Sequence, residues 1–95
     1  MRIGRIDIDR PLCLAPMEDV TDPPYRMLCL EQGADLLFTE FAHCEAVTRN
    51  VPGECRKLYV LETEHPIGAQ LYGSTESTME RAAAMASEAG ADFID

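Results

Sequence analysis

The apolar residues of this chain form short runs that do not alternate regularly with polar residues. Such runs cover residues 12–15, 36–39 and 67–71, and a fourth begins at residue 91 and continues to residue 95. Strands that are covered on both faces have this pattern, as parallel strands flanked by helices do. The pattern therefore predicts an α/β fold with about three parallel strands and the start of a fourth.

Two stretches between these runs have the spacing of amphipathic helices. The first covers about residues 23–32 with Asp22 as its predicted N-cap, and the second covers residues 75–89 with Ser74 as its predicted N-cap. A glycine follows each helix and ends it, because glycine adopts the left-handed conformation without a steric penalty. The face of the first helix that is predicted to pack consists of Tyr25, Leu28, Cys29 and Gln32. The second helix carries a stripe of mostly small side chains, which are Met79, Ala82, Ala83, Ala86 and Ala89.

The remaining stretches are less regular. Residues 3–9 alternate apolar and polar residues and are predicted to form a half-exposed strand at the margin of the sheet. Residues 41–50 are weakly helical, and Pro52 with Gly53 is predicted to break that helix. Residues 54–64 fit either a short helical turn or an irregular crossover.

Two segments of the chain have similar sequences. Residues 31–37 read EQGADLL and residues 88–94 read EAGADFI, and each follows the end of a predicted helix. Both contain a glycine stop, then Ala-Asp, then an apolar strand. This order is typical of repeated βα units in a parallel sheet.

The predicted strands place polar or loop-forming residues at their carboxyl ends. Pro16 and Met17 follow the first strand, Glu40 follows the second, Gln70 lies near the end of the third, and Asp95 ends the fourth. Parallel strands joined by right-handed crossovers have all their carboxyl ends on one side, so these residues are expected to share one mouth. Ligands bind on that side in open α/β sheets and in (β/α)8 barrels. The alternative to a binding site is that these strand ends are polar only because they face water.

Composition narrows the classes of protein that the chain could represent. It has 95 residues, which is one domain at most. Its net charge of −9 makes it a poor candidate for binding the phosphate backbone of a nucleic acid without a further basic surface. The chain has no run of about 18 apolar residues and no signal-peptide pattern at its start, so a cytoplasmic location is expected. Its four cysteines are expected to be reduced thiols, and no two have the spacing of a zinc-binding pair, so no metal site is expected.

Several motifs together resemble the tRNA-dihydrouridine synthase family. They are LAPMEDVTDPPYR, GADLLFTE, HPIGAQLYGS and EAGADFID, and they cover about residues 11–95 in the order and spacing of that family's N-terminal part. The resemblance implies a partial (β/α)8 TIM barrel. Residues 1–95 would be the N-terminal portion of an FMN-binding barrel domain, incomplete and without the family's C-terminal helical domain.

The resemblance also implies a reaction. The full-length parent would be an FMN-dependent oxidoreductase that uses NADPH to reduce the C5=C6 bond of uridines in tRNA. A cysteine in a Gly-Cys-Pro turn would protonate C5, and that turn would lie beyond Asp95. None of the four cysteines here matches it, so no catalytic residue is assigned, and the 95 residues alone are expected neither to hold FMN firmly nor to reduce RNA.

Four residues match the flavin-contacting positions of that family. Pro16, Met17 and Glu18 match the loop after the first strand, and Gln70 matches a glutamine of the third strand. A glutamine amide can both donate to and accept from the polar edge of a flavin ring. The structural alternative for Gln70 is an amide satisfied by the backbone of the sheet.

The sequence departs from the family at one place and leaves two other functions open. Many members have Ala-Gly where this chain has Glu18 and Asp19, and a carboxylate beside a reduced, anionic flavin is unfavourable unless it points to water. Glu40 is expected to make a structural hydrogen bond to a neighbouring loop. The alternatives to a tRNA-uridine reductase are another FMN-dependent barrel oxidoreductase and a non-catalytic α/β fragment.

Overall fold

The computed structural model describes all of residues 1–95. Its elements in chain order are β1 Arg2–Ile3, β2 Ile6–Asp7, α1 Pro23–Glu31, β3 Leu37–Phe38, β4 Ala42–His43, α2 Cys44–Thr48, α3 Pro52–Arg56, a 3₁₀ helix Glu62–Glu64, β5 Ile67–Ala69, β6 Leu71–Tyr72, α4 Glu76–Ala89 and β7 Phe93–Ile94. No helix is both long enough and apolar enough to span a membrane.

The chain begins with a small hairpin. β1 pairs with β2 in antiparallel register, with Ile3 opposite Ile6. The single strand predicted over residues 3–9 is therefore wrong, because Gly4 has a φ of 57° and the chain reverses there.

A parallel sheet forms the centre of the molecule. β3, β5 and β7 lie side by side in that order, and both pairings are parallel. Residues 12–14 extend this sheet beyond β3, since Cys13 forms a parallel bridge with Leu36. Each segment therefore lies next to the one that follows it along the chain, which is the strand order of a (β/α)8 barrel. The α/β class with parallel strands is confirmed.

The first helix begins where the sequence predicts. The Tyr25 N–H donates a 3.0 Å hydrogen bond to the Asp22 carboxylate, which caps α1. Gly33 follows the helix with a φ of 106°, as expected of a glycine stop.

The segment between β3 and β5 is more structured than predicted. The stretch expected to be weakly helical begins with β4, which pairs with β6, and only then becomes helical in α2. Pro52 does not only break a helix, because it is also the first residue of α3. At that position a backbone N–H has no partner within the helix, so the missing N–H of proline costs nothing. The third predicted strand is split at Gln70 into β5 and β6.

The largest apolar core lies between α4, α2 and the small β4–β6 sheet. Ala82 and Ala86 of α4 are fully buried there against the α2 side chains Cys44 and Val47. The small-residue stripe of α4 is therefore confirmed at its centre, although Ala89 is exposed. The helix begins one residue later than predicted, with Thr75 as N-cap in place of Ser74, and no side chain caps it.

Two predictions about burial are wrong, and both concern the same edge of the sheet. Leu12 is 60% exposed, although its run was predicted to be covered on both faces. Leu28, on the face of α1 that was predicted to pack, is 56% exposed. The reason is the same for both, because residues 12–14 pair on one side only and nothing in the chain lies beyond them.

Candidate functional site

The structure brings the predicted mouth residues together at the carboxyl edge of the sheet. The Asp19 N–H donates a 2.7 Å hydrogen bond to Glu40, which joins the loop after the first strand to the end of β3. The Gln70 side-chain amide donates a 2.8 Å hydrogen bond to the Asp95 carboxylate. The structural hydrogen bond expected of Glu40 is thereby confirmed.

The loop over residues 16–21 is closed by its own hydrogen bonds. The buried Thr21 hydroxyl accepts from the Met17 N–H and donates to the Met17 carbonyl, both at 3.0 Å. The peptide groups of Met17 are thus occupied within the loop, while its side chain is 37% exposed. The backbone N–H groups of Ala15 and Glu18 have no partner in the protein, so these two donors are available to a ligand.

The Glu18 carboxylate is ion-paired, although its side chain is 38% exposed. It accepts a 2.9 Å hydrogen bond from Lys57, whose side chain is only 17% exposed. The same ammonium donates to Glu54 at 3.0 Å and lies 3.4 Å from the Phe41 carbonyl oxygen. Lys57 therefore connects the loop to α3 and to the residue before β4.

Burial and pairing act in opposite directions on this cluster. Burial by itself lowers the pKa of Lys57, but the hydrogen bonds that its ammonium donates to Glu18 and Glu54 outweigh burial and raise that pKa well above its usual value. Burial would raise the pKa of Glu54, whereas hydrogen bonds from the His43 N–H and from Lys57 bring it below its usual value. Both groups are therefore charged at neutral pH.

Gln70 lies between β5 and β6, opposite the end of β3. Its backbone N–H donates to the Thr39 hydroxyl at 3.2 Å, and its carbonyl accepts from the Ala42 N–H at 2.9 Å. Its side chain makes no hydrogen bond to the sheet backbone, so the structural alternative for this residue is wrong. The side-chain oxygen has no partner in the protein and remains an acceptor at the mouth.

A cleft of about 830 Å³ lies beside the loop, but Met17 and Gln70 do not line it. Its polar lining includes Asp19, Arg56 and Lys57. Of the four candidate residues, Met17 and Glu18 are exposed, and Pro16 and Gln70 are partly buried.

A buried ion pair behind the loop was not anticipated from the sequence. Arg26 and Glu64 are 1% and 0% exposed, and two N–O contacts of 2.7 and 3.1 Å join them. The Arg26 guanidinium also donates to the Thr21 carbonyl at 2.7 Å and to the Tyr59 carbonyl at 3.2 Å. The sequence signal for this ion pair was Arg26 itself, a charged residue close to the α1 N-cap Asp22.

The repeated Gly-Ala-Asp segments also have a structural role that the sequence did not reveal. The Asp35 carboxylate accepts from the Leu12 N–H at 2.8 Å, and the Asp92 carboxylate accepts from the Ile67 N–H at 2.8 Å. The Asp35 N–H in turn donates to the Leu12 carbonyl at 2.8 Å, and the Asp92 N–H donates to the Ile67 carbonyl at 2.9 Å. Each aspartate thus fixes the start of its own strand to the start of the preceding one.

The four cysteines are free thiols, and Cys44 is buried. Burial raises the pKa of the Cys44 thiol, and a backbone hydrogen bond only partly offsets this. A thiol with a raised pKa is a poor nucleophile at neutral pH.

Comparison with known proteins gives consistent matches. Residues 13–95 match the family described as Dihydrouridine synthase (Dus). The whole chain is 36% identical to tRNA-dihydrouridine synthase B of Vibrio cholerae and 32% identical to tRNA-dihydrouridine synthase B of Escherichia coli, and 86% of it is 40% identical to a probable tRNA-dihydrouridine synthase of Aquifex aeolicus. The chain spans between 26% and 30% of the length of these three relatives.

Proposed function

Because the chain belongs to the dihydrouridine synthase family, we propose that it is the first part of an FMN-binding (β/α)8 barrel in a tRNA-uridine reductase. Residues 1–95 would supply the N-terminal strands of that barrel, and the C-terminal helical domain of the family would be outside them. The activity, the tRNA substrate and the use of NADPH are proposed for the longer protein. The observation that supports the proposal is that the residue 16–21 loop and Gln70 are bonded to the adjacent residues Glu40 and Thr39, which follow β3 in a parallel sheet.

The polar groups of this edge fit a flavin ring. Such a ring has a flat apolar face and an edge that combines acceptors with one N–H. The Ala15 and Glu18 N–H groups are unpaired donors, and the Gln70 side-chain oxygen is an unpaired acceptor. Pro16 and the exposed Met17 side chain offer apolar contact to the ring face. We propose Pro16, Met17, Glu18 and Gln70 as the residues that would hold FMN.

The role of these residues is to bind and orient. FMN, when bound, would supply the hydride that reduces the C5=C6 bond of uridine. The Asp95 carboxylate accepts from the Gln70 amide nitrogen and leaves the side-chain oxygen unpaired, and the Thr21 hydroxyl holds both peptide groups of Met17. The residue that gives a proton to C5 would come from outside residues 1–95.

The charge of the chain bears on its partners. A net charge of −9 opposes binding to RNA phosphates, so the basic surface that holds tRNA would lie elsewhere in the longer protein. We propose a cytoplasmic location, where tRNA and NADPH are available.

Flavin binding tests the site. In the full-length protein that carries this chain, Gln70→Ala should weaken FMN binding about tenfold, as expected when one hydrogen bond is lost and its neighbours stay desolvated. The matched control is Gln32→Ala, which removes the same side chain from the exposed end of α1 and should leave FMN affinity unchanged. Quenching of flavin fluorescence gives both affinities, and equal affinities would contradict the site.

The reaction is tested separately. Dihydrouridine in tRNA from a strain lacking the gene is measured by mass spectrometry, with and without the gene restored. The proposal requires dihydrouridine to disappear at one or more positions and to return on restoration. An FMN-bound protein whose deletion leaves every dihydrouridine in place would instead be another barrel oxidoreductase.

A further inference from the structure

Lys57 is the only lysine of the chain, and two carboxylates accept hydrogen bonds from its ammonium group. It is 17% exposed, and its three ammonium contacts reach Glu18, Glu54 and the Phe41 carbonyl oxygen. Its ammonium also lies 5.9 Å from the centre of the Phe41 ring. By comparison, the side chains of Arg49 and Glu45, which form an ion pair on α2, are 72% and 51% exposed.

The Glu18 end of this cluster belongs to the loop proposed to contact FMN. The loop is fixed at Thr21 through Met17 and at Asp19 through Glu40. Without Lys57, the charge of Glu18 would lie in that loop with no compensating cation. The Glu18 side chain is 38% exposed, so water screens part of its charge, and its repulsion of an anionic ligand is reduced but not removed.

We propose that Lys57 is a positioning residue for the cofactor, which holds Glu18 and neutralises its charge so that the loop accepts a reduced, anionic flavin. The proposal rests on the proposed function, because it assigns a partner to a residue of that site. It also explains how this chain can carry a carboxylate at position 18, which departs from the Ala-Gly of many relatives noted above.

A purely structural role for Lys57 makes a different prediction. If Lys57 only ties the loop to α3, its loss should weaken the binding of oxidised and reduced flavin equally. If it neutralises Glu18, its loss should weaken the binding of reduced flavin more, which makes the midpoint potential more negative. A tenfold difference between the two affinities corresponds to about 30 mV for a two-electron couple.

The experiment measures the FMN midpoint potential by spectroelectrochemistry in the full-length protein. Lys57→Met should lower the potential by about 30 mV, the shift that a tenfold loss of relative affinity produces. Lys57→Met with Glu18→Gln should restore the wild-type potential, because both charges are then absent. Lys57→Arg should retain it. Arg49→Met is the matched control, since it removes the same charge from an exposed pair.

Each outcome separates the possibilities. A lower potential in Lys57→Met that returns in the double variant supports the proposal, and an unchanged potential in Lys57→Met overturns it. If Lys57→Met loses its fold, Glu18→Gln alone decides, because removing the carboxylate while Lys57 remains should raise the potential. A wild-type protein that binds no FMN would refute the proposed function itself, whereas a flavoprotein with no shift in either variant refutes only the role of Lys57.

Discussion

Arg26 joins the candidate loop to the rest of the molecule. Its guanidinium holds the Thr21 carbonyl, while Thr21 in turn holds both peptide groups of Met17. The Arg26 guanidinium is also paired with Glu64, whose carboxylate accepts a further hydrogen bond from the Leu61 N–H at 2.8 Å. A charged pair inside the protein thus determines where the loop lies.

Breaking this pair should be costly. Glu64→Gln leaves the buried Arg26 charge without a counter-ion, and the free energy of unfolding should fall by about 3 kcal/mol. Glu62→Gln is the matched control, because Glu62 is exposed on the same 3₁₀ helix and its loss should change stability by less than about 0.5 kcal/mol. Urea unfolding followed by circular dichroism measures both.

The double variant Arg26→Met with Glu64→Leu refines this prediction. It removes both charges, so it should recover much of the stability lost in Glu64→Gln, since apolar residues of similar volume can replace a buried pair. Equal midpoints for Glu64→Gln and Glu62→Gln would show that the pair does not hold the fold.

His65 gives the stability a dependence on pH. Its Nδ1 lies 2.7 Å from an Asp92 carboxylate oxygen, and this hydrogen bond raises the pKa of His65, against a smaller opposing effect of burial. A raised pKa in the folded state means that the contribution is fully present below the unfolded value of about 6.5. It is lost as the pH rises through the higher folded pKa.

The expected result is a urea midpoint that falls as the pH rises above about 6.5. His65→Gln should remove this part of the pH dependence and leave only what other groups contribute. Identical pH profiles for the two proteins would show that the His65–Asp92 pair does not stabilise the fold.

At the scale of elements, local signals could be predicted and long-range ones could not. The start of α1 at Asp22 and the stops at Gly33 and Gly90 depend on neighbouring residues, and all three are confirmed. The pairing of Arg26 with Glu64 joins residues 38 positions apart, and no periodicity contains that information. The burial of Leu28 depends on what covers α1, so the apolar spacing indicated a packing face that this chain leaves exposed.

The same distinction between local and long-range information applies to the candidate site. The gathering of the strand ends could be predicted, because parallel strands have one carboxyl edge. The partners of the side chains there could not, and the contact between Glu18 and Lys57 crosses 39 positions. Neither motif nor composition indicates that Lys57, the only lysine of the chain, would reach the loop.

β5 depends on a glycine at its centre. Gly68 pairs with Phe38 on one side and with Phe93 on the other, and the two rings meet edge to face with centroids 5.5 Å apart. A methyl group at Gly68 would overlap the Phe93 ring. The absence of a side chain at Gly68 therefore permits the close approach of the Phe93 ring.

Gly68→Ala should therefore lower the free energy of unfolding by about 1–3 kcal/mol, the usual cost of overpacking. Gly53→Ala is the control, because a methyl group there meets nothing closer than 3.9 Å and favours the α3 helix. The double variant Gly68→Ala with Phe93→Leu should regain stability relative to Gly68→Ala. Equal unfolding midpoints for Gly68→Ala and Gly53→Ala would contradict the overlap.

At the scale of the whole molecule, the parallel sheet ends in open edges. Residues 12–14 pair only with the β3 side, and a groove of about 320 Å³ runs between them and α1. The groove is lined by the apolar residues Leu12, Cys13, Leu14, Tyr25, Leu28, Cys29 and Ala34 together with Gln32. Unpaired strand edges beside apolar surface promote association with another chain.

The isolated 95-residue chain should therefore associate with itself. Light scattering coupled to size exclusion should give an average mass above 10.5 kDa at about 0.15 M salt, where the repulsion between chains of charge −9 is screened. Leu12→Lys with Leu28→Glu should lower that mass, because it places charges on the groove, whereas Val51→Lys, at an exposed position just before α3, should not. A wild-type chain that elutes as a cooperative monomer would show that this edge needs no partner, and the proposal that residues 1–95 require the rest of a barrel would lose its physical basis.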